Sequence, residues 1–323
     1  MADRPRIVVT RRLPESAIDM LREAGDVWVS PHDRPLERAE LLDAVRGADA
    51  IVPLLHDRID GEVLDAAGDG LKVVANVAVG YDNLDLPAAK ERGVVLTNTP
   101  GVLTEATADL TFALILAVTR RLGEGERLLR GREPWSWHLF MMLGMGLQDK
   151  ALGVVGLGGI GQAVARRARA FGMRILFFQP IPAPEAVVRE LEAEKVEELG
   201  DLLERSDVVT LHTPLSPETR HLIDAEALRR MKRTAYIVNA ARGPVIDEAA
   251  LVDALRSGEI AGAGLDVFEH EPEVHEGLLE LDNAYILPHL GSATIETRTA
   301  MAELAARNAV LVLGGEEPLT LVS

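Results

Sequence analysis

Short apolar runs alternate with longer stretches of helical periodicity along most of the chain. Runs of four or five apolar residues predict β-strands, and apolar residues repeated at helical spacing predict the helices between them. In the first hundred residues, strands are expected at 6–10, 27–30, 50–53, 71–75 and 94–97, and helices at 14–24, 38–46 and 60–67. Strands that alternate with helices indicate a parallel sheet covered on both faces, so this region predicts an α/β unit of its own.

The clearest local pattern is LGVVGLGGIGQAVARRARAFGMRILFFQ at residues 152–179. An apolar run enters the glycine cluster 156–161, a helical stretch follows, and a second apolar run closes the unit. This order predicts one βαβ half of a dinucleotide-binding fold. In it Gly156 permits the tight turn, Gly158 lets a pyrophosphate approach, and Gly161 allows close helix packing. The N–H groups and the dipole of the helix then favour phosphates. A glycine turn can also begin a helix that binds nothing, but the two flanking strands favour the dinucleotide interpretation.

The alternation continues through the rest of the chain. One long apolar helix is expected at 102–121, strands at 208–212, 236–239, 263–267 and 284–287, and helices at 225–230, 248–257 and 295–313. Residues 127–146 have no regular pattern and contain Trp135, Trp137, Phe140, Met141 and Met142. Such a cluster is typical of core packing, but a ligand site and a subunit interface are alternative interpretations.

Composition narrows the possible classes of function. The 323 residues suffice for two domains, and a hydrophobic content of 47 % indicates a folded protein. The formal net charge of −17 argues against nucleic acid and anionic membranes as partners. The longest apolar run, around residues 110–118, is far shorter than the roughly 20 residues of a membrane span. No cysteine is present, which excludes disulfides and thiolate chemistry, and no metal site is expected. No signal peptide is visible, so a cytoplasmic enzyme is expected.

The position that distinguishes NAD from NADP carries an unusual residue. The dinucleotide motif places Asp or Glu about 20 residues after the glycines, whereas an arginine accommodates a 2′-phosphate. Here Gln179 stands at that point and Pro180 follows, with neither a carboxylate nor an arginine. A neutral amide can still hydrogen-bond a ribose hydroxyl. A modest preference for NAD(H), with NADP(H) also used, is therefore expected.

Three polar residues, Arg242, Glu271 and His289, follow predicted strands of the glycine-motif unit. Each has an ordinary alternative, respectively a surface cation, a loop charge and a buried core histidine. Together they suit reduction of a keto acid. Arginine offers a fork of donors to a carboxylate, histidine can donate a proton, and a neighbouring carboxylate favours the charged imidazole. Val79 and Gly80 lie in the turn after the predicted strand at 71–75, where they offer N–H groups to a carboxylate or form an ordinary turn.

Several motifs resemble those of the D-isomer-specific 2-hydroxyacid dehydrogenases. They are GLGGIGQAVARRARAFGM, LHTPLSPETRHLI, VNAARGPVIDEAALVDAL, GAGLDVFEHEP and LPHLGSAT, while ANVAVGYDNLD and NTPGVLTEATADL extend the resemblance into the first unit. The resemblance covers essentially the whole chain. Through LLHDRID, VGYDN, PHLGSAT and the Trp137-His138 segment, the chain is most similar to the glyoxylate/hydroxypyruvate reductases of this family.

The resemblance implies two doubly wound parallel-sheet domains of the α/β class. A Rossmann cofactor domain (99–290) would be inserted in a flavodoxin-like substrate-binding domain (1–98 and 291–323), and the cofactor domains would form a homodimer. The implied reaction is NAD(P)H-dependent reduction of a small 2-keto acid, glyoxylate or hydroxypyruvate, to the D-2-hydroxy acid. Phosphoglycerate dehydrogenase, another D-2-hydroxyacid dehydrogenase and a non-catalytic NAD-sensing protein like the family's co-repressors are the alternatives. The intact Arg242, Glu271 and His289 favour an enzyme over the last of these.

The resemblance also implies roles for individual residues. Arg242 would bind and polarise the keto acid, His289 would be the acid/base, and Glu271 would pair with His289. The implied substrate-binding residues are Leu55, Val79, Gly80, Trp137 (reaching the partner subunit's active site), Arg242 and His289. The implied cofactor-binding residues are Thr104, Gly156, Gly158, Gly159, Ile160, Gly161, Gln179, Pro180, His212, Thr213, Pro214, Thr219, Ala240, Ala241, Arg242, Asp266 (at the nicotinamide amide), His289, Gly291 and Ser292. Gly159, Met141 and Met142 depart from the residues usual in the family, and they bear on cofactor preference and substrate size.

Overall fold

The computed structural model describes residues 4–322, which form two compact units. The first comprises the described residues up to Leu103 together with those from Ala293 onward, and the second is Thr104–Ser292. The chain therefore leaves the first unit once and returns to it once. The boundaries expected from the sequence, after Asn98 and after Leu290, lie a few residues before these two junctions.

The first unit contains five parallel strands in the order β2-β1-β3-β4-β5. They are β1 (Arg6–Val9), β2 (Asp26–Val29), β3 (Ala50–Val52), β4 (Val73–Ala75) and β5 (Val95–Thr97). The helices are α1 (Glu15–Ala24), α2 (Arg38–Ala44), α3 (Gly61–Ala67), α4 (Leu86–Glu91) and α13 (Ile295–Leu313). Asp60 caps α3 as predicted, because its carboxylate accepts the Val63 N–H. This strand order is flavodoxin-like.

The second unit contains seven parallel strands in the order β12-β11-β10-β9-β6-β7-β8. They are β6 (Ala151–Val155), β7 (Arg174–Phe178), β8 (Glu194–Lys195), β9 (Val208–Leu211), β10 (Tyr236–Asn239), β11 (Gly262–Leu265) and β12 (Ala284–Ile286). The helices are α5 (Thr104–Thr119), α6 (Leu122–Arg130), α7 (Gly159–Ala170), α8 (Glu185–Leu191), α9 (Leu199–Arg205), α10 (Ala225–Arg230), α11 (Glu248–Ser257) and α12 (Glu276–Leu279). The chain builds outward from β6 to β8 and then returns to β9 beside β6, which makes this point the topological switch of the sheet.

Both faces of the larger sheet are covered by helices. Val208 and Val238 enter one hydrophobic core with residues of α5 and α7. Val209 and Ile237, each adjacent to one of them in the same strand, enter a second core with residues of α9 and α11. Alternate side chains of each strand therefore serve opposite cores. This arrangement confirms the predicted doubly wound parallel sheet.

One predicted segment is wrong in part. Residues 127–146 are not irregular throughout, because α6 continues to Arg130. Arg121 adopts a φ of 55° and separates α5 from α6. Helix α6 buries none of its residues and contains two glycines, which disfavour a helix, so its composition does not predict one. The short elements α4, α8, β8, α9 and α12 are likewise absent from the prediction. No helix among residues 4–322 is long and apolar enough to cross a membrane.

Candidate active site

The glycine turn after β6 has the local geometry that a dinucleotide phosphate site requires. Gly156 has a φ of +91°, and a Cβ at that position would lie 2.8 Å from the carbonyl oxygen of His212. A Cβ on Gly161 would lie 2.2 Å from the Gly156 carbonyl oxygen, so only glycine lets α7 approach β6. Gly158 is the N-cap of α7 and provides no side-chain cap, while its Cβ position faces open space. The first N–H groups of α7 and the space beside them fit the pyrophosphate of a dinucleotide.

Gln179 joins this turn to the loop after β7. Its side-chain oxygen accepts the Leu157 N–H at 2.7 Å, and its amide nitrogen donates to the Ile181 carbonyl at 2.7 Å. One further amide N–H is left for another acceptor, because a glutamine amide has two. Gln179 thus occupies the place at the strand end that the sequence assigns to ribose recognition, without any negative charge.

The loop after β9 carries His212, Thr213 and Pro214. The His212 Nε2 lies 2.9 Å from the Thr210 hydroxyl, and burial lowers the pKa of His212 to about 3. The imidazole is therefore neutral. Its Nδ1 is buried and has no hydrogen-bond partner among the described residues. Thr219 donates from its hydroxyl to the Pro214 carbonyl at 2.7 Å, which fixes the loop.

Backbone hydrogen bonds tie together the ends of β10, β11 and β12. Asp266 donates its N–H to the Asn239 carbonyl at 2.9 Å, and its own carbonyl accepts the His289 N–H at 2.8 Å. The Asn239 side chain donates to the Arg242 carbonyl at 2.9 Å and accepts the Ala241 N–H at 3.0 Å. It thereby shapes the turn that presents Arg242. The three strand ends that carry the predicted chemistry are thus neighbours in the sheet.

His289 and Glu271 form a direct pair. The His289 Nδ1 lies 2.8 Å from Glu271 Oε2, with the two side chains only 25 % and 16 % exposed. The other oxygen of Glu271 accepts the Phe268 N–H at 3.1 Å. His289 has a left-handed φ of 54°. The pairing with the carboxylate fixes the orientation of the imidazole through Nδ1.

Asp266 lies close to this pair and is almost completely buried. Its two carboxylate oxygens accept the N–H groups of Leu290 at 2.7 Å and Gly291 at 2.8 Å. Burial raises the pKa of Asp266, and the two amide donors and the nearby His289 oppose that rise. A carboxylate oxygen has two lone pairs, so Asp266 retains acceptor capacity for a further N–H.

The predicted cofactor positions follow six strands that are neighbours in the sheet: β12, β11, β10, β9, β6 and β7. Because the strands are parallel, all of these turns lie at one edge. His289 and Glu271 stand toward one end of this row, the glycine turn stands beyond β9, and Gln179 stands at the other end. Thr104 begins α5 near the glycine turn, with its hydroxyl 3.6 Å from the Cβ position of Gly159. The predicted cofactor positions therefore share the carboxyl ends of neighbouring strands, the place where parallel sheets bind nucleotides.

In the first unit, Leu55, Val79 and Gly80 lie in loops after β3 and β4. Asn76 and Asn83 exchange side-chain hydrogen bonds of 3.2 Å, and Asn83 also donates to carbonyls of the 54–57 loop. Asn76 donates to the Gly80 carbonyl at 3.0 Å. These bonds bring the two loops together. The Val79 and Gly80 N–H groups donate to no described residue of this unit, which suits them to bind an anion.

Trp137 lies in an exposed apolar segment of the second unit. Five large side chains between residues 135 and 143 are more than half exposed: Trp135, Trp137, Leu139, Phe140 and Leu143. Isolated surface apolar residues are common, and this run is denser than that.

Three residues that hold the loops of the site in place were missed in the sequence analysis. Asn239, Glu248 and Glu269 each bond to a loop that bears a predicted site residue. The signal available was a polar residue at the end of a buried strand or at a helix start, directly beside the motif. That signal is weak, since such positions are also ordinary caps.

Comparison with known proteins defines the family. The D-isomer specific 2-hydroxyacid dehydrogenase NAD binding domain matches residues 112–291. A glyoxylate reductase from Thermococcus onnurineus (strain NA1) is 51 % identical over 325 residues, covering 99 % of this chain and 96 % of that protein. The chain belongs to the D-isomer specific 2-hydroxyacid dehydrogenases, as predicted, and is an NAD(P)-dependent enzyme of that class.

Solved structures agree with this assignment. A crystal structure of a protein from Thermus thermophilus superposes with a TM-score of 0.90 at 50 % identity, covering 98 % of this chain and 100 % of that one. An NADPH-dependent glyoxylate/hydroxypyruvate reductase from Sinorhizobium meliloti, in complex with NADP and malonate, has a TM-score of 0.88 at 35 % identity. That match covers 99 % of this chain and 97 % of the other.

Proposed function

We propose that the protein is a glyoxylate/hydroxypyruvate reductase that converts a small 2-keto acid to the D-2-hydroxy acid. The observation that carries the proposal is the Glu271–His289 pair, 2.8 Å apart beside the end of β10 that bears Arg242. A relative named glyoxylate reductase matches this chain over nearly its full length, which supports glyoxylate as the substrate. Hydroxypyruvate is included because the Sinorhizobium meliloti relative carries that name as well.

Each residue of the site has a defined task in this proposal. Arg242 binds the substrate carboxylate and polarises the carbonyl, because its guanidinium presents a fork of donors. A bound nicotinamide supplies a hydride to the carbonyl carbon. His289 donates its proton to the carbonyl oxygen, and Glu271 stabilises the imidazolium before that transfer. The N–H groups of Val79 and Gly80 hold the carboxylate, and Leu55 limits the size of the substrate.

The remaining cofactor and domain assignments follow the same proposal. Residues 99–290 form the cofactor domain, and residues 1–98 with 291–323 form the substrate-binding domain. The glycine turn holds the pyrophosphate, the loop at 212–214 faces the adenosine, Asp266 accepts the nicotinamide amide, and Thr104, Thr219, Gly291 and Ser292 complete the contacts. NADH is modestly preferred because Gln179 brings no cation for a 2′-phosphate.

A homodimer through the cofactor domains is also proposed. The supporting observation is the exposed apolar segment around Trp137, which is 79 % exposed in the single chain. Trp137 would then reach the active site of the partner subunit. Cytoplasmic location stays a prediction from the sequence.

A substrate panel tests the function. Loss of nicotinamide absorbance is followed with glyoxylate, hydroxypyruvate, phosphohydroxypyruvate and a bulkier aromatic keto acid, each with NADH and NADPH. The proposal expects the first two to have the highest kcat/KM. Preference for phosphohydroxypyruvate or a bulky acid would indicate another dehydrogenase of the family. Cofactor binding without turnover of any substrate would indicate a sensing protein.

A further inference from the structure

The loop that carries Glu271 is held by a second carboxylate that the proposed chemistry does not use. Glu248 is the first residue of α11, and it is only 6 % exposed. Its Oε1 accepts the Glu269 N–H at 2.5 Å. The preceding N–H along the chain, that of Phe268, donates to the Glu271 carboxylate at 3.1 Å. Two successive amides of one loop therefore hold Glu248 on one side and Glu271 on the other.

Further contacts join this loop to the one that bears Arg242. A Cβ on Gly243 would lie 1.8 Å from the Phe268 carbonyl oxygen, so the two backbones are in direct contact. Gly243 is separated from Glu248 only by a short turn and the helix cap. Glu248 therefore fastens the Glu271 loop to the segment that follows Arg242.

Glu269 provides a second attachment for the same loop. Its carboxylate lies 2.9 Å from Arg220 and 2.6 Å from His221. Burial opposes the ionisation of Glu269, but the bond from His221 and the neighbouring charges keep its pKa below the usual range. The backbone N–H of His221 donates to the Pro244 carbonyl at 2.7 Å. Glu269 is thus connected, through His221, to the segment between Arg242 and Glu248.

We infer that Glu248 is a positioning residue for Glu271, and through Glu271 for His289. Glu248 accepts the Glu269 N–H and so fixes the peptide between Phe268 and Glu269. Phe268 is thereby held in place, and its own N–H, in the preceding peptide, keeps the Glu271 carboxylate turned toward His289. This inference rests on the proposed function of that pair. This positioning role needs only an oxygen at residue 248 that accepts the Glu269 N–H, and that oxygen need not carry a charge. Burial raises the pKa of Glu248, and the bond from the Glu269 N–H opposes that rise.

The test compares three variants of Glu248 with wild type. Glu248→Ala removes the acceptor, Glu248→Gln keeps it without charge, and Glu248→Asp keeps the charge on a side chain one methylene shorter. The exposed Glu226, which occupies the first turn of α10, provides the control variant Glu226→Ala. For each we measure kcat and KM for glyoxylate, and NADH affinity by fluorescence.

Glu248→Ala and Glu248→Asp are expected to lower kcat by about 10–100-fold, since misplacement of about 1 Å can cost that much. NADH affinity and KM for glyoxylate should each change by less than about twofold, so that the loss is confined to kcat. Glu248→Gln and Glu226→Ala should match wild type. In a Glu271→Gln background, Glu248→Ala should have little further effect, because residues that act as a unit are not additive.

A Glu248→Ala protein with wild-type kcat would overturn the inference, and so would a loss that appears in KM rather than in kcat. So would a loss in Glu248→Gln as large as that in Glu248→Ala, or full additivity with Glu271→Gln. Should Glu248→Ala fail to fold, Glu248→Asp carries the same comparison. Hydrogen exchange of the 266–271 amides adds a readout that needs no turnover. Faster exchange in Glu248→Ala, restored in Glu248→Gln, is expected even if no keto acid is reduced, so failure of the proposed function is distinguishable.

Discussion

At the scale of single residues, the pair of His289 and Glu271 leads to the most direct prediction. His289→Ala removes the proposed proton donor, and positioned acid catalysis is typically worth about 10²–10⁴-fold in rate. We therefore expect kcat for glyoxylate reduction to fall by that factor, with NADH affinity little changed. Stopped-flow or steady-state absorbance measures the rate, and fluorescence titration measures the affinity. A variant with near-full kcat would remove His289 from the mechanism.

Glu271 predicts a second consequence for the rate. Its carboxylate lies 2.8 Å from the His289 ring, and a hydrogen bond to a charged group is worth about 1.5–3 kcal/mol. Glu271→Gln keeps a side chain of the same size without the charge, so kcat should fall about tenfold while KM for glyoxylate changes little. Steady-state kinetics of both proteins at one pH provide the measurement. An unchanged kcat in Glu271→Gln would contradict the proposed pairing.

Gln179 yields a prediction about cofactor choice. Its amide already bonds Leu157 and Ile181, and it brings neither the charge that repels a 2′-phosphate nor the cation that attracts it. Gln179→Asp should lower kcat/KM for NADPH relative to NADH by about tenfold, the factor given by about 1.4 kcal/mol of repulsion. Pro180→Arg should shift the ratio the other way. Wild type that favours NADPH by about a hundredfold would show that a cation from elsewhere in the chain reaches this pocket.

At the scale of elements, the long periodic segments were predictable and the short ones were not. The glycine-motif strands, α5 and α13 carry strong local patterns, and the structure has them at nearly the expected residues. Short helices such as α4 and α12 depend on a cap and on tertiary contacts, which no periodicity reveals. The same holds in the site. Arg242, Glu271 and His289 follow predicted strands, whereas Glu248 is recognisable only once the Glu269 N–H is seen to meet it.

The contact between α7 and β6 predicts different consequences for two glycines. Gly161→Ala would place a Cβ 2.2 Å from the Gly156 carbonyl oxygen, and backbone on both sides cannot yield cheaply. The free energy of unfolding should fall by about 1–3 kcal/mol, as for overpacked cores. A Cβ on Gly158 meets open space, so Gly158→Ala should keep wild-type stability and weaken only NADH binding. Urea unfolding and fluorescence titration separate the two effects. Equal stability of both variants would contradict this account of the turn.

At the scale of the whole molecule, the apolar segment around Trp137 predicts self-association. Phe140 and Leu139 are 75 % and 69 % exposed in the single chain, a large apolar exposure for a surface that faces water. We expect a dimer by sedimentation velocity at micromolar concentration, and Phe140→Asp should shift it to monomer. Leu279→Asp is the matched control, because Leu279 is 62 % exposed in the same unit but lies outside this segment. That control should stay dimeric.

Trp137→Ala connects the assembly to catalysis. If Trp137 of one protomer reaches the active site of its partner, the substitution should change KM for bulkier keto acids more than for glyoxylate, since only larger substrates extend to the indole. Circular dichroism should be unchanged, because no core residue is touched, and sedimentation establishes that the variant compared is still a dimer.

Mixed dimers supply the decisive measurement, with Trp137→Ala on one protomer and His289→Ala on the other. The single site that keeps His289 belongs to the protomer without Trp137, and it faces a partner that retains the indole. Because the indole is supplied by the partner, this site should show the wild-type KM for bulky keto acids, unlike the Trp137→Ala homodimer. A mixed dimer in which both substitutions lie on one protomer is the matched control. Its intact site faces a partner without Trp137 and should show the altered KM. The opposite pattern in the two mixed dimers would place Trp137 at the active site of its own subunit. A fully active wild-type monomer would show that no residue of a partner is needed, and an unchanged KM in both mixed dimers would place Trp137 outside the site.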